Sequence, residues 1–115
     1  MEAHDLQGIL RGLEELQFHE LAPFNGGTAG VYWASGGTSP WERHPEEDEL
    51  LLVLDGRVDV TVLTDDGPAV TPVGAGGAFV VPRGHWHRQT LHGRVQQLYV
   101  TPGRTEHSTK DHPRR

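Results

Sequence analysis

The sequence predicts an all-β protein, an antiparallel sandwich or barrel preceded by one short α-helix. About eight short segments rich in β-branched, aliphatic and aromatic residues follow one another at short, even spacing. The 115 residues include 15 Gly and 8 Pro, which supply frequent turns between those segments. An apolar content of 35% in a chain of this length fits one domain with one modest core.

The first predicted element is the helix. A leucine repeat with the helical period runs from Leu6 to Leu16 or Gln17, and Asp5 can cap its start. Two glycines inside this segment each weaken a helix by roughly 1 kcal/mol relative to Ala. We therefore expect the helix to persist by packing on the barrel or on a partner subunit.

The strands follow a predicted loop at 21–30. Asp55-Gly56 is a hairpin-turn sequence, and His92-Gly93 predicts another turn. Beyond Pro102 the chain is polar and lacks apolar periodicity, so this tail is mobile or is held along the surface. The predicted strands are residues 31–35, 41–44, 49–54, 57–63, 69–73, 78–81, 86–91 and 94–101.

Two strands carry the clearest patterns. Residues 57–63 alternate, with Val58, Val60 and Val62 pointing inward. Residues 49–54, ELLLVL, are apolar on both faces, which is typical of a strand covered on both sides. One face would line the barrel interior, and the other would need the helix or a second subunit. The pattern therefore predicts a homodimer.

Residues of the types that bind metals lie just before the apolar strand at 49–54 and at its first position. Residues two apart in a strand point to the same face, so Glu42 and His44 can converge. Glu49 opens the next strand and can reach the same point. A further imidazole would complete a ligand set, and the chain offers His85 and His87.

These residues lie in two segments that resemble the cupin motifs. Residues 36–56, GGTSPWERHPEEDELLLVLDG, resemble G-x5-H-x-H-x3-4-E-x6-G, with Glu42 in place of the first histidine. Residues 76–91 resemble G-x5-P-x-G-x2-H-x3-N, with Leu91 in place of asparagine. Eight of the ten fixed positions are kept in the right order, over about half the chain. Among cupins, the chain is similar to the small single-domain members.

The resemblance implies a cupin-type double-stranded β-helix, that is, a jelly-roll barrel, with a short N-terminal helix. The expected organisation is a helix and linker at 1–22, the barrel at 23–103 and a polar tail at 104–115. The barrel mouth would hold a divalent metal, with the implied ligands Glu42, His44, Glu49 and His87. His85 would be a loop histidine, a replacement for the imidazole missing at position 42, or the catalytic proton shuttle.

The mixed nitrogen and oxygen ligand set suits Fe, Mn, Ni, Co or Zn, and the sequence does not choose among them. We expect the pocket wall to come from aromatic residues and one amide. These are Trp33 or Tyr32, Phe79, Trp86, Tyr99 and Gln97.

Composition limits the partners. A net charge of −6 argues against nucleic acid, and the lack of Cys excludes disulfides and thiolate ligands. The sequence has neither an apolar run of membrane-spanning length nor a signal-peptide pattern, so we expect no membrane partner and a cytoplasmic location. The main hypothesis is a metalloenzyme (dioxygenase, isomerase or lyase-like) acting on a small polar metabolite. The alternatives are a non-catalytic ligand-binding or sensing module, and an interaction module whose metal is structural or absent.

Overall fold

The computed structural model of the chain describes residues 1–110 and 113, and the described part contains one helix and eight strands. All the strands pair antiparallel in one curled sheet, so the predicted all-β fold with a short N-terminal helix is confirmed. The elements are α1 (Leu6–Arg11), β1 (His19–Phe24), β2 (Gly27–Ser35), β3 (Trp41–Arg43), β4 (Glu49–Thr64), β5 (Gly67–Gly74), β6 (Ala78–Val81), β7 (His87–Thr101) and β8 (Glu106–Ser108).

Strand β7 connects the two sides of the sheet. One path of paired strands runs β1-β2-β7-β3-β8, while β4 pairs with β5, β6 and β7. The core between them is built mostly from valine, whose branched side chain packs well on a pleated surface. Val58, Val60 and Val62 are all buried, as their alternation predicts.

The hairpin turn predicted at Asp55-Gly56 is wrong, because β4 continues through it. Residues 50–53 pair with the second half of β7 and residues 57–62 with its first half, so the chain has to run straight on. Register shifts on both sides of Asp55 mark a bulge, where Gly56 has a φ of 86°. A Cβ atom at Gly56 would lie 2.3 Å from the carbonyl oxygen of Arg94. The turn predicted at His92-Gly93 is likewise part of one strand, β7.

The helix is shorter than the leucine repeat predicts. Asp5 caps its start by accepting a hydrogen bond from the amide of Gly8, and the helix ends at Arg11, before Gly12. Beyond it, Trp33 of β2 holds the chain: its indole N–H donates to the carbonyl of Leu13 at 2.8 Å. Its own carbonyl accepts from the amide of Leu16 at 2.9 Å. Because Leu13 and Leu16 form these hydrogen bonds with β2, the helix does not continue for the further turn that the leucine repeat predicts.

The loop predicted at 21–30 is wrong, because most of this segment belongs to the hairpin of β1 and β2. Asn25 and Gly26 have φ values of 47° and 79°. Two consecutive positive φ values are what a tight two-residue hairpin requires, and Asn-Gly is the sequence that adopts them most readily. β1 spans the predicted boundary between residues 22 and 23.

The two faces of β4 differ. Glu49, Leu51 and Val53 are buried, whereas Leu50 on the other face is 38% exposed. The helix packs against β2, and Leu52 and Leu54 on this outer face are half-buried in the single chain. At six residues, α1 is far too short to cross a bilayer. The predicted cytoplasmic location and the three-part division of the chain stay predictions.

Candidate metal centre

The four predicted ligands come together at one end of the barrel. Glu42 lies in β3 opposite His87, the first residue of β7, and Glu49 is the first residue of β4. One potential ligand atom from each of these residues and from His44 lies within 4.8 Å of all the others. His44, Glu49 and His87 are at most 4% exposed, and Glu42 is half-buried. The structure therefore brings together all four residues implied by the motifs.

Glu49 is the centre of the group. Its Oε1 lies 3.2 Å from the Nε2 of His44 and 3.2 Å from the Nε2 of His87. The two imidazole ring centroids are 5.3 Å apart. The other carboxylate oxygen accepts a hydrogen bond from the hydroxyl of Thr101 on β7. Glu49 is thereby fixed in one orientation between the two imidazoles.

The electrostatics of the group follow from this geometry. Burial raises the pKa of Glu49, but the adjacent imidazoles of His44 and His87 and the hydrogen bond from Thr101 outweigh it and lower the pKa to about 2. Burial lowers the pKa of His44, but the adjacent carboxylate of Glu49 and the charge of Glu42 outweigh it, so this pKa is above its usual value. Without a metal, Glu49 is therefore an anion that favours a cation beside it.

The group fits a metal ion. The Nε2 of His44 is buried and, despite its proximity to Glu49, makes no hydrogen bond of normal geometry; the Nδ1 of His87 is also buried without a partner. Buried polar atoms are nearly always satisfied, so such atoms require a reason. A cation between the imidazoles and carboxylates would use the lone pair of the His44 Nε2; on His87 the nitrogen beside Glu49 is Nε2 and not the unpartnered Nδ1. Two nitrogen and two carboxylate donors without sulfur suit a divalent transition metal.

The turn before β7 positions His87. Gly84 has a φ of 76°, which favours glycine, and its amide donates to the carbonyl of His44 at 2.8 Å. The amide of Arg83 donates to a side-chain oxygen of Asp48 at 2.9 Å. These two bonds attach the turn of the second motif to the first motif, which sets His87 beside His44.

His85 is not part of the group. It is half-buried, and its Nδ1 lies 3.0 Å from the carbonyl oxygen of Arg83. A carbonyl only accepts hydrogen bonds, so this nitrogen donates. Among the described residues, His85 does not line the cavity beside the four predicted ligands. The structure therefore does not bring His85 to the site, and of the three alternatives it favours the loop histidine.

A cavity of about 390 Å³ opens beside the cluster. Of the predicted wall residues, Tyr32 and Tyr99 line it, whereas Trp33, Phe79, Trp86 and Gln97 do not. Sequence reasoning missed several of the residues that do. The lining is Phe18, Thr28, Tyr32, Ser39, Glu42, Glu49, Leu51, His87, Gln89, Tyr99, Thr101, Thr105 and His107.

A buried hydrogen-bond network supports one wall of this cavity. The Tyr32 hydroxyl donates to the side-chain oxygen of Gln97 at 3.2 Å, and the amide nitrogen of Gln97 donates to the oxygen of Gln89. Burial, with the charges of Glu49 and Glu42, raises the pKa of Tyr32, so its hydroxyl stays protonated. The network uses the oxygen of Gln89 and leaves its amide N–H groups available to a ligand.

Comparison with known proteins identifies the family. A family model described as a cupin domain matches residues 31–100. The chain belongs to the cupin family. Germin-like protein subfamily T member 2 of Arabidopsis thaliana is 39% identical to this cupin over 72 residues, which is 62% of this chain and 33% of the relative. This cupin thus spans about a third of the length of the curated relatives it matches.

Solved structures share its fold. Hydroquinone 1,2-dioxygenase in complex with Cd²⁺ and 4-hydroxybenzonitrile superposes with a TM-score of 0.68 at 18% identity, over 85% of this cupin and 71% of that chain. Oxalate oxidase in complex with the substrate analogue glycolate has a TM-score of 0.58 at 28% identity, over 65% of this cupin and 41% of that chain. The predicted cupin jelly roll is therefore confirmed.

Proposed function

We propose that this cupin binds one divalent transition metal (Fe, Mn, Ni, Co or Zn) through Glu42, His44, Glu49 and His87, as a metalloenzyme acting on a small polar metabolite. The observation that carries the proposal is the convergence of four buried or half-buried donors within 4.8 Å. The cavity beside them, about 390 Å³, has the size of a small-molecule site.

A bound metal would supply Lewis acidity or a site for O2, as in dioxygenase, isomerase or lyase-like reactions. The chain's own residues bind and orient the substrate. The free amide N–H groups of Gln89 can donate to a carbonyl or carboxylate oxygen, while Phe18 and Leu51 contribute apolar wall that excludes water. A small polar molecule with an oxygen acceptor fits this combination.

The experiment is metal analysis of the purified protein, followed by metal titration of the apo form and a turnover assay. Oxalate oxidase, a neighbour of this fold, binds glycolate, so small carboxylic and hydroxy acids are the first substrates to test. The matched control is the double variant His44→Ala, His87→Ala. If none of the five metals binds the wild-type protein more tightly than this control, the proposal is wrong.

A second function is a non-catalytic ligand-binding or sensing module. It is favoured by the position of His85, the candidate proton shuttle, whose ring contacts the backbone of Arg83. Here the metal and Gln89 would hold the ligand without reaction. Stabilisation of the metal-loaded protein by an acid that it never consumes would support this function over the enzyme.

We also propose that the protein is a homodimer. Leu50 pairs with Val80 on one side and Val100 on the other, so the three side chains form an apolar row on the outer face of the sheet. Leu50 is 38% exposed and Val80 56% exposed in the single chain. Light scattering should give twice the chain mass, and Leu50→Lys should give the monomer mass. A monomeric wild-type protein at micromolar concentration would contradict the proposal.

A further inference from the structure

The segment Arg104–Ser108, which we call the strap, closes one side of the metal centre. Its strand β8 pairs antiparallel with β3, opposite Trp41, Glu42 and Arg43. The sequence left this polar tail either mobile or held along the surface, and the second alternative holds for these residues. Thr105 and His107 line the cavity, so the strap contributes directly to the site.

Among the described residues, three pairs of ionisable side chains join the strap to the rest of the chain, and one of them places the Nε2 of His107 3.5 Å from a carboxylate oxygen of Glu42. Glu106 accepts from the guanidinium of Arg43 at 2.7 and 2.8 Å, and both side chains are partly buried. The guanidinium of Arg104 lies 3.2 Å from Glu46 in a more exposed pair. Exposed pairs contribute little, so the backbone pairing with β3 and the Arg43 contact hold most of the strap in place.

The contact that matters for the site joins the strap to a predicted ligand. The hydroxyl oxygen of Thr105 lies 3.0 Å from the Nδ1 of His44. If this oxygen accepts the Nδ1–H, the lone pair of His44 is left on Nε2, the nitrogen that is directed at Glu49. Metal-binding histidines generally need such a partner on the other ring nitrogen, because it fixes both tautomer and ring orientation.

We infer that Thr105 is a positioning residue that holds the imidazole of His44 in the tautomer and orientation required for metal binding. The inference rests on the proposed metal site. It assigns a role to a residue outside both motifs, in a segment whose composition resembles a solvated tail. It also makes the metal affinity of the protein depend on the strap.

The test uses Thr105→Val, which replaces the hydroxyl by a methyl group of similar size, and Thr105→Ser, which keeps the hydroxyl. Thr71→Val is the matched control, because Thr71 is an exposed residue of β5 outside the cavity. Each apo protein is titrated with Co²⁺ and Zn²⁺ against a competing chelator, its Co²⁺ absorption spectrum is recorded, and its unfolding temperature is measured without metal.

We expect Thr105→Val to lower metal affinity about 10- to 100-fold, the usual effect of losing a partner of a metal-binding histidine. The Co²⁺ spectrum should change with it, since the geometry of one ligand changes. Thr105→Ser should restore most of the affinity and the wild-type spectrum, and Thr71→Val should leave both at wild type. Thr105→Val should lower the apo unfolding temperature by several degrees, because it leaves a buried N–H of His44 without an acceptor, whereas Thr105→Ser and Thr71→Val should stay close to wild type.

The outcomes separate the two proposals. If the wild-type protein binds neither ion, the proposed function fails and this inference fails with it. If the wild-type protein binds metal and Thr105→Val binds it equally well with the same spectrum, the inference alone is overturned. Equal losses in Thr105→Val and Thr105→Ser, together with lower unfolding temperatures of both apo forms, would also overturn it, because they show a role in stability rather than positioning.

Discussion

Replacing Glu49 by Gln should destabilise the metal-free protein. This substitution keeps the shape of a side chain that is 4% exposed but removes its charge. The adjacent imidazoles of His44 and His87 and the hydrogen bond from Thr101 lower the pKa of Glu49 from 4.5 to about 2. At about 1.4 kcal/mol for each pKa unit, the carboxylate contributes roughly 3 kcal/mol to the free energy of unfolding.

The assay is urea and thermal unfolding of apo wild type and apo Glu49→Gln near pH 6. A loss of about 3 kcal/mol should appear as a drop of roughly 10 °C in unfolding temperature for a domain of this size. A folded-state pKa that is lowered contributes stability above the unfolded value of 4.5, and that stability is lost as the pH falls toward about 2. The gap between the two proteins should therefore narrow below about pH 4.5.

Glu47→Gln is the matched control, because Glu47 is an exposed acid in the turn just before β4. It should unfold like the wild-type protein. A Glu49→Gln variant that is as stable as the wild type, or a gap that does not change with pH, would refute the conclusion that Glu49 is held as a buried anion.

Three further predictions concern the site and the core. His87→Ala should lower metal affinity steeply because it removes one of four donors, whereas His85→Ala should keep wild-type affinity. Calorimetric titration of both apo variants with metal measures this difference. Equal losses of affinity would mean that both imidazoles bind the metal. Because its pKa is raised, protonated His44 should stabilise the apo protein fully below about pH 6.5 and lose that effect as the pH rises through the raised value. Metal affinity should rise with pH over the same range, since binding needs a neutral imidazole. Unfolding of the apo protein and metal titration, each repeated over a series of pH values, compare stability with affinity. If both quantities rise or both fall with pH, this prediction is wrong. Leu10→Ala removes a fully buried side chain. It should lower the free energy of unfolding, measured in urea, by roughly 2–5 kcal/mol without weakening metal binding. Lost metal affinity at unchanged stability would show instead that α1 supports the site.

Local patterns were sufficient to predict the grouping of the four candidate ligands. Glu42 and His44 are two residues apart at the end of a short strand, and Glu49 and His87 each begin a strand. Side chains two residues apart in a strand point to the same face, and the spacings of the two motifs place the other two ligands at strand starts, so the sequence pattern indicates this grouping. His85 stays outside the group, as the motif spacing predicts, because the glycine turn directs the chain so that His87, and not His85, enters the strand.

Long-range pairing explains most of what the sequence could not predict. Asp55-Gly56 has the composition of a hairpin turn, and only its pairing with β7 shows that it is a bulge. Glu42 pairs with His107, 65 residues later in the chain, and no local pattern in a polar tail indicates such a partner. The observed total of eight strands equals the predicted total only because two kinds of error cancel. Two long strands each replace two predicted ones, while β1 and β8 were not predicted.

The late position of β8 in the chain has a consequence for biosynthesis. Pairing strands that are distant in sequence requires closing a long loop, which is slow compared with forming a local hairpin. The hairpin of β1 and β2 and the hairpin of β4 and β5 can form while later residues are still being added. The wall supplied by the strap cannot form until His107 has left the ribosome. The cavity is therefore completed only after the strands β1 to β7 have been synthesised.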